Sequence, residues 1–203
     1  MNYLIINTAG KTTEILLSAA GKKTFFCDEN GLHASAVLLQ AIDKMLCAAN
    51  VKLNDMDFFA CVTGPGSFTG IRIGLVTTKT FCYALNKKAV GINYNRLISY
   101  AAPGKRLAVV HGWADVYYAA KYDGDEEIMP PTAFKKSELE KLIDRSPDYT
   151  VVCDAVSGAA MGGITADERK CMEIAAQNGR PISGDRLEPL YAMKSQAERE
   201  LDK

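Results

Sequence analysis

The chain has 203 residues, 48% of them hydrophobic and 24% charged, enough for one full domain or two small lobes but not for a large multidomain enzyme. Lysine plus arginine (24) equals aspartate plus glutamate (24), which argues against a protein that grips nucleic acid by bulk charge. The halves differ little: residues 1–100 carry a net +4 and residues 101–203 a net −4.

The six cysteines, Cys27, Cys47, Cys61, Cys82, Cys153 and Cys171, form no C-x-x-C pair and are expected as reduced thiols. No stretch reaches the length of a membrane span. The opening residues Met1-Asn2-Tyr3-Leu4-Ile5-Ile6 lack the basic start of an export signal, so a cytoplasmic protein without a membrane partner is expected.

In chain order, residues 3–8 are a short apolar run ending in Asn7-Thr8-Ala9-Gly10, a strand that meets a tight turn. Residues 14–19 and 22–27 follow around Ala20-Gly21, which completes a three-strand antiparallel meander. Residues 32–49 have helical length, with Leu38, Ile42, Met45 and Ala49 recurring every three or four positions. A strand at 57–62, a turn, a helix at 69–85 and a strand at 89–93 come next, so the order is βββαβα and a further strand. The second half repeats it more faintly: strands at 107–111, 116–122 and 127–129, a helix at 137–144, a strand at 150–153 and a helix at 167–178. Ala101-Ala102-Pro103-Gly104 is the linker candidate, dividing the chain into 1–102 and 103–203. Two βββαβα lobes imply an α/β, actin-like (ASKHA, ribonuclease-H-like) duplicated fold. From Tyr191 onward the pattern is too polar for a core helix.

The most informative segment is Gly64-Pro65-Gly66-Ser67-Phe68-Thr69-Gly70-Ile71-Arg72-Ile73-Gly74. It is a strand-to-helix turn in which Ser67 or Thr69 can cap the helix, and such a turn either serves structure alone or cradles an anion. It is not a Walker A loop, since no Lys-Ser or Lys-Thr follows its last glycine, and it contains no G-x-S-x-G.

This segment resembles the signature of the TsaB (YeaZ-type) family, subunits of the bacterial machinery that makes threonylcarbamoyl adenosine in tRNA. Residues 1–8, His33, Val90-Gly91-Ile92, Gly112-Trp113-Ala114-Asp115-Val116-Tyr117, Pro189-Leu190-Tyr191 and Ser195-Gln196-Ala197-Glu198 fall in the family's order. The resemblance implies direct pairing with the catalytic TsaD subunit, the ATPase TsaE joining the complex, indirect contact with tRNA, and a homodimer when the subunit is alone. TsaD binds a metal through two histidines a helical turn apart. Here only His33 and His111 exist, 78 positions apart. Catalytic relatives carry an aspartate in the first strand-turn, where this chain has the neutral Asn7, a weaker magnesium ligand. A scaffold without catalytic residues, metal or cofactor is therefore expected. Lys11 can still touch a phosphate, which leaves open a nucleotide in the cleft and, as the alternative, an ATP-using phosphotransferase.

The helix at 69–85 carries only two charges, Arg72 and Lys79, and the helix at 32–49 has a narrow polar stripe, so both read as covered on two sides. The second lobe or the tail is one possible cover, and a partner chain is the other. The candidate seam comprises Val37, Leu38, Ala41, Ile42, Met45, Thr69, Arg72, Ile73, Val76, Thr77, Thr80 and Phe81, beside the signature turn Gly64, Pro65, Gly66, Ser67, Phe68 and Gly70.

Overall fold

A computed structural model describes residues 1–28 and 33–193. The expected helix start at residue 32 and the tail landmarks Ser195 to Glu198 lie outside the described residues. The elements, in chain order, are β1 (Tyr3–Asn7), β2 (Glu14–Ala19), β3 (Lys22–Cys27), α1 (Ala34–Ala49), β4 (Phe58–Gly64), α2 (Phe68–Leu85), β5 (Lys88–Asn93), α3 (Tyr94–Ser99) and β6 (Lys105–His111). There follow β7 (Val116–Asp123), β8 (Glu126–Lys135), α4 (Lys136–Asp144), β9 (Thr150–Cys153), α5 (Ala155–Met161), β10 (Ile164–Thr165), α6 (Glu168–Asn178) and β11 (Ile182–Ser183). Among them no helix is long and apolar enough to cross a membrane.

Two mixed sheets carry the duplication. The first runs β11-β5-β4-β1-β2-β3 and the second β10-β9-β6-β7-β8. Apart from β11, the two orders are the same: an antiparallel meander whose first strand also pairs in parallel with the strand after the next helix. The first hairpin turns on Ala20 and Gly21, with φ of 50° and 75°, the left-handed pair that matches strand twist.

Strand periodicity separates the cores. In β1, Tyr3 and Ile5 face a core shared by the two sheets, while Leu4 and Ile6 face α1 and α2. In β6, Ala108 and Val110 face the shared core, while Leu107 and Val109 face α4. Helices α3 and α6 lie in the middle layer, so the stack reads α1/α2, first sheet, α3/α6, second sheet, α4/α5. Asn95 of α3 ties that layer to the second sheet, its Nδ2 donating to the carbonyls of Ala108 and Tyr118 at 2.8 and 2.9 Å.

A division at 102/103 separates the strands of the two sheets with one departure. After α6 the chain returns to the first sheet, where Ile182 and Ser183 pair with Ala89 and Lys88. The short 3₁₀ turn that follows, Gly184–Arg186, packs on α2, with Gly184 against Cys82.

Candidate functional site

The glycine-rich turn joins β4 to α2, and its glycines mark close approaches of backbone to backbone. A Cβ on Gly70 would strike the carbonyl oxygen of Thr8, one on Gly66 the carbonyl of Ala9, and one on Gly64 the carbonyl of Leu190. Gly64 also has φ +120°, in the region that favours glycine. Ser67 caps α2 by accepting from the Gly70 amide at 3.2 Å, and its own amide donates to Ala9 O at 2.7 Å. Thr8 in turn donates its hydroxyl to Gly70 O at 2.7 Å. The turn therefore locks α2 onto the loop after β1.

Both loops open on a cleft of about 920 Å³, whose far wall is the turn after β6 and the start of α5. Lys11, Arg72 and His111 reach this space from three different elements, and Asp154 is its one carboxylate among the described residues. Asp154 Oδ1 caps α5 through the Ser157 amide at 2.8 Å, and Oδ2 accepts from the His111 amide at 3.2 Å. His111 Nε2 lies 3.1 Å from Ala114 O, and its ring meets Tyr117 edge-on. A segment from the C-terminal side crosses the mouth. The Leu190 amide donates to Thr63 O at 2.8 Å, the Tyr191 ring stacks on Phe68 at 4.5 Å, and Arg72 Nε donates to the Tyr191 hydroxyl at 3.1 Å.

Behind the cleft, Asn7 is fully committed. Its Nδ2 donates to Glu14 Oε2 and to Glu168 Oε2, each at 3.0 Å, and its Oδ1 accepts from the Ala9 amide at 3.1 Å. The Tyr94 hydroxyl lies 2.9 and 3.0 Å from the two Glu168 oxygens. Burial pushes both glutamates up from their ordinary range. Glu168 is raised further by the charge of Glu14, and Tyr94 is raised by burial and then by Glu168. The sequence reading missed both glutamates, because each opens a regular element and reads as an end residue. Among the described residues no group of three His, Cys, Asp or Glu side chains could hold a metal ion.

The expected seam divides into three sets. Leu38, Ala41, Ile42 and Met45 are buried in the core beneath α1, facing the first sheet, and so are not at an open surface. Thr78, between the seam residues Thr77 and Thr80 on α2, is also buried. Val37, Ile73, Thr77 and Phe81 are half-buried, with Phe81 against Phe59 at 5.3 Å between ring centres. Thr69, Arg72, Val76 and Thr80 are exposed. The apolar side chains that stand out from the two helices are Leu39 (61% exposed), Val76 (59%) and Tyr83 (93%). Sequence reading missed Leu39 and Tyr83. On α1 the strongest repeat is the line through Leu38, Ile42 and Met45, which is the core line. Leu39 lies one position, or 100° of helix, away from it.

Comparison with known proteins adds three findings. A family model described as "TsaD: tRNA N6-adenosine threonylcarbamoyltransferase" matches residues 31–136. The tRNA N6-adenosine threonylcarbamoyltransferase of Rhizobium johnstonii is 40% identical over 62 residues, covering 30% of this chain and 17% of that protein. The tRNA threonylcarbamoyladenosine biosynthesis protein TsaB of Haemophilus influenzae is 26% identical over 102 residues, covering 50% of this chain and 43% of that protein. The chain thus spans less than half the length of these relatives. Among solved structures, YeaZ from Pseudomonas aeruginosa superposes with a TM-score of 0.74 at 15% identity, over 94% of this chain and 99% of that one. A second P. aeruginosa structure, of a protein described as similar to peptidase YeaZ, gives 0.73 at 16% identity over 95% and 99%.

Proposed function

Since the chain belongs to the family of TsaD, the tRNA N6-adenosine threonylcarbamoyltransferase, and has the fold of YeaZ, we propose that it is a scaffold subunit of the bacterial tRNA threonylcarbamoyladenosine machinery. In this reading it performs no chemistry. It pairs directly with a TsaD-type catalytic subunit, TsaE joins the complex, and tRNA is met through the partner. Alone, it pairs with a second copy through the same face.

The observation that carries the reading is the open side of α1 and α2. Leu39, Val76 and Tyr83 project from two helices whose other sides are already packed on the first sheet. Large exposed apolar groups are what a helix-on-helix interface buries. Asn7 supports the absence of catalysis. Its amide is spent on two glutamates and a backbone amide, so the place where catalytic relatives carry an aspartate is neutral and already occupied by hydrogen bonds. The metal-binding histidine pair of TsaD has no counterpart in this donor set. His33 is the N-cap residue before α1 and His111 ends β6.

The test is pairing. Val76→Arg is expected to abolish co-purification with a TsaD-type partner while the far-UV spectrum and melting temperature stay at wild-type values. Ile42→Arg, by contrast, should unfold the chain, because Ile42 lies beneath the helix. Retention of the partner by Val76→Arg overturns the assignment. A second reading, an ATP-using phosphotransferase, draws on the cationic cleft with Lys11 and Arg72. Magnesium-dependent ATP turnover at enzymic rates by the purified chain would favour it.

A further inference from the structure

Glu14 opens β2 and Glu168 opens α6, and one amide nitrogen, Asn7 Nδ2, lies 3.0 Å from a carboxylate oxygen of each, so the cluster joins two distant parts of the chain. Two carboxylates gathered on one amide nitrogen without a cation repel one another unless one carries a proton, and only the protonated one can donate, because an ionised carboxylate only accepts. Asn7 Nδ2 bridges the pair, and Tyr94 contacts Glu168 from α3. Thr12 contacts Glu14 from the loop after β1, and the cap of α5 contributes the charge of Asp154. On α6 itself, Cys171 and Asp167 are the titratable neighbours. The cations of that helix are engaged elsewhere: Lys170 Nζ with Asp167 at 3.3 Å and Arg169 Nε with Glu173 at 3.9 Å. Among the described residues neither Glu14 nor Glu168 forms an ion pair. The cluster borders the cleft: a Cβ on Gly10, which lines that space, would lie 2.7 Å from the Tyr94 hydroxyl.

We propose that one proton shared by Glu14 and Glu168 is a latch that fastens the first turn of α6 to the β1–β2 loop, and that its release to solvent loosens the floor of the cleft. The inference is independent of the partner reading. The sign follows from linkage. The folded chain keeps a proton that the unfolded chain gives up in the usual carboxylate range. The stabilisation is therefore complete below that range and is lost as pH rises through the raised folded value. Above it, the buried Glu14 and the half-buried Glu168 are both anions and, with Asp154 as a third charge, repel one another without a cation between them.

Hydrogen exchange of the full chain between pH 5.5 and 9, corrected for intrinsic exchange, tests the latch. Peptides covering residues 7–14 and 167–172 are expected to lose protection at least tenfold across the range, while peptides from α4 hold theirs. Glu168→Gln keeps a donor in place but cannot titrate, and should flatten the profile to within twofold. Glu14→Gln should do the same and carries the test if the first variant fails to fold. A flat wild-type profile, an equal loss in α4, or a pH dependence that survives in the folded glutamine variants overturns the proposal.

Discussion

Cys47 lies exposed on α1, whereas Cys61, Cys153 and Cys171 are buried, and burial pushes each of those three thiols up to about 12. The thiolate is the reacting form, so burial suppresses reactivity by both access and ionisation. Limiting iodoacetamide at pH 8 should therefore label Cys47 well before these three, which should react only after denaturation. Peptide mass mapping checks the order, and early alkylation of Cys61 would contradict the packing of β4. At this scale the sequence was informative about what Asn7 is not, but silent about what it does. The neutral side chain is visible as a letter. Its role depends on Glu168, 161 positions away, and no local pattern carries that distance.

For single elements, the helix with the glycine signature makes the sharpest demand. Gly70 sits where α2 crosses the Thr8 carbonyl, and one added carbon overlaps that oxygen. Gly70→Ala should cost about 1–3 kcal/mol through the forced separation of helix and loop, read as a lower midpoint in urea. An unchanged midpoint would mean that α2 docks elsewhere. Long periodic elements were legible in sequence: α1, α2, α4 and α6 are found within about two residues of where their patterns put them, the ordinary uncertainty of helix ends. Two short helices were not. α3 has six residues and α5 seven, too few for an apolar period to show. Their caps were the available signal, since Asn93 accepts from the Arg96 amide and Asp154 from the Ser157 amide. Strand β8 runs Glu126–Lys135 where a three-residue strand was expected. Its two prolines, Pro130 and Pro131, argue against a strand in sequence, but β8 is the edge strand of its sheet, where a missing amide is tolerated.

Over the whole molecule, the faint repeat of element order in the sequence corresponds to two sheets of matching strand order. What the sequence could not convey is that the two halves share a core. Val90 and Ile92 of the first sheet, Ala108 and Val110 of the second, and Cys171 and Met172 of α6 belong to one buried cluster. A fragment of residues 1–102 would expose its side of that cluster and is expected to lack cooperative thermal unfolding and a dispersed amide spectrum. A well-dispersed spectrum from that fragment would show the first lobe to be self-sufficient.

The return of β11 to the margin of the first sheet has a consequence during synthesis. Eighty-eight residues separate Asn93 from Ile182, and a ribosome takes roughly five to twenty seconds to add them. Throughout that interval the nascent β5 offers unsatisfied amides and carbonyls to any extended peptide nearby. The growing polypeptide is thus most vulnerable to mispairing while its second sheet is being made, and β11, once it emerges, covers the Lys88–Ala89 end of that edge.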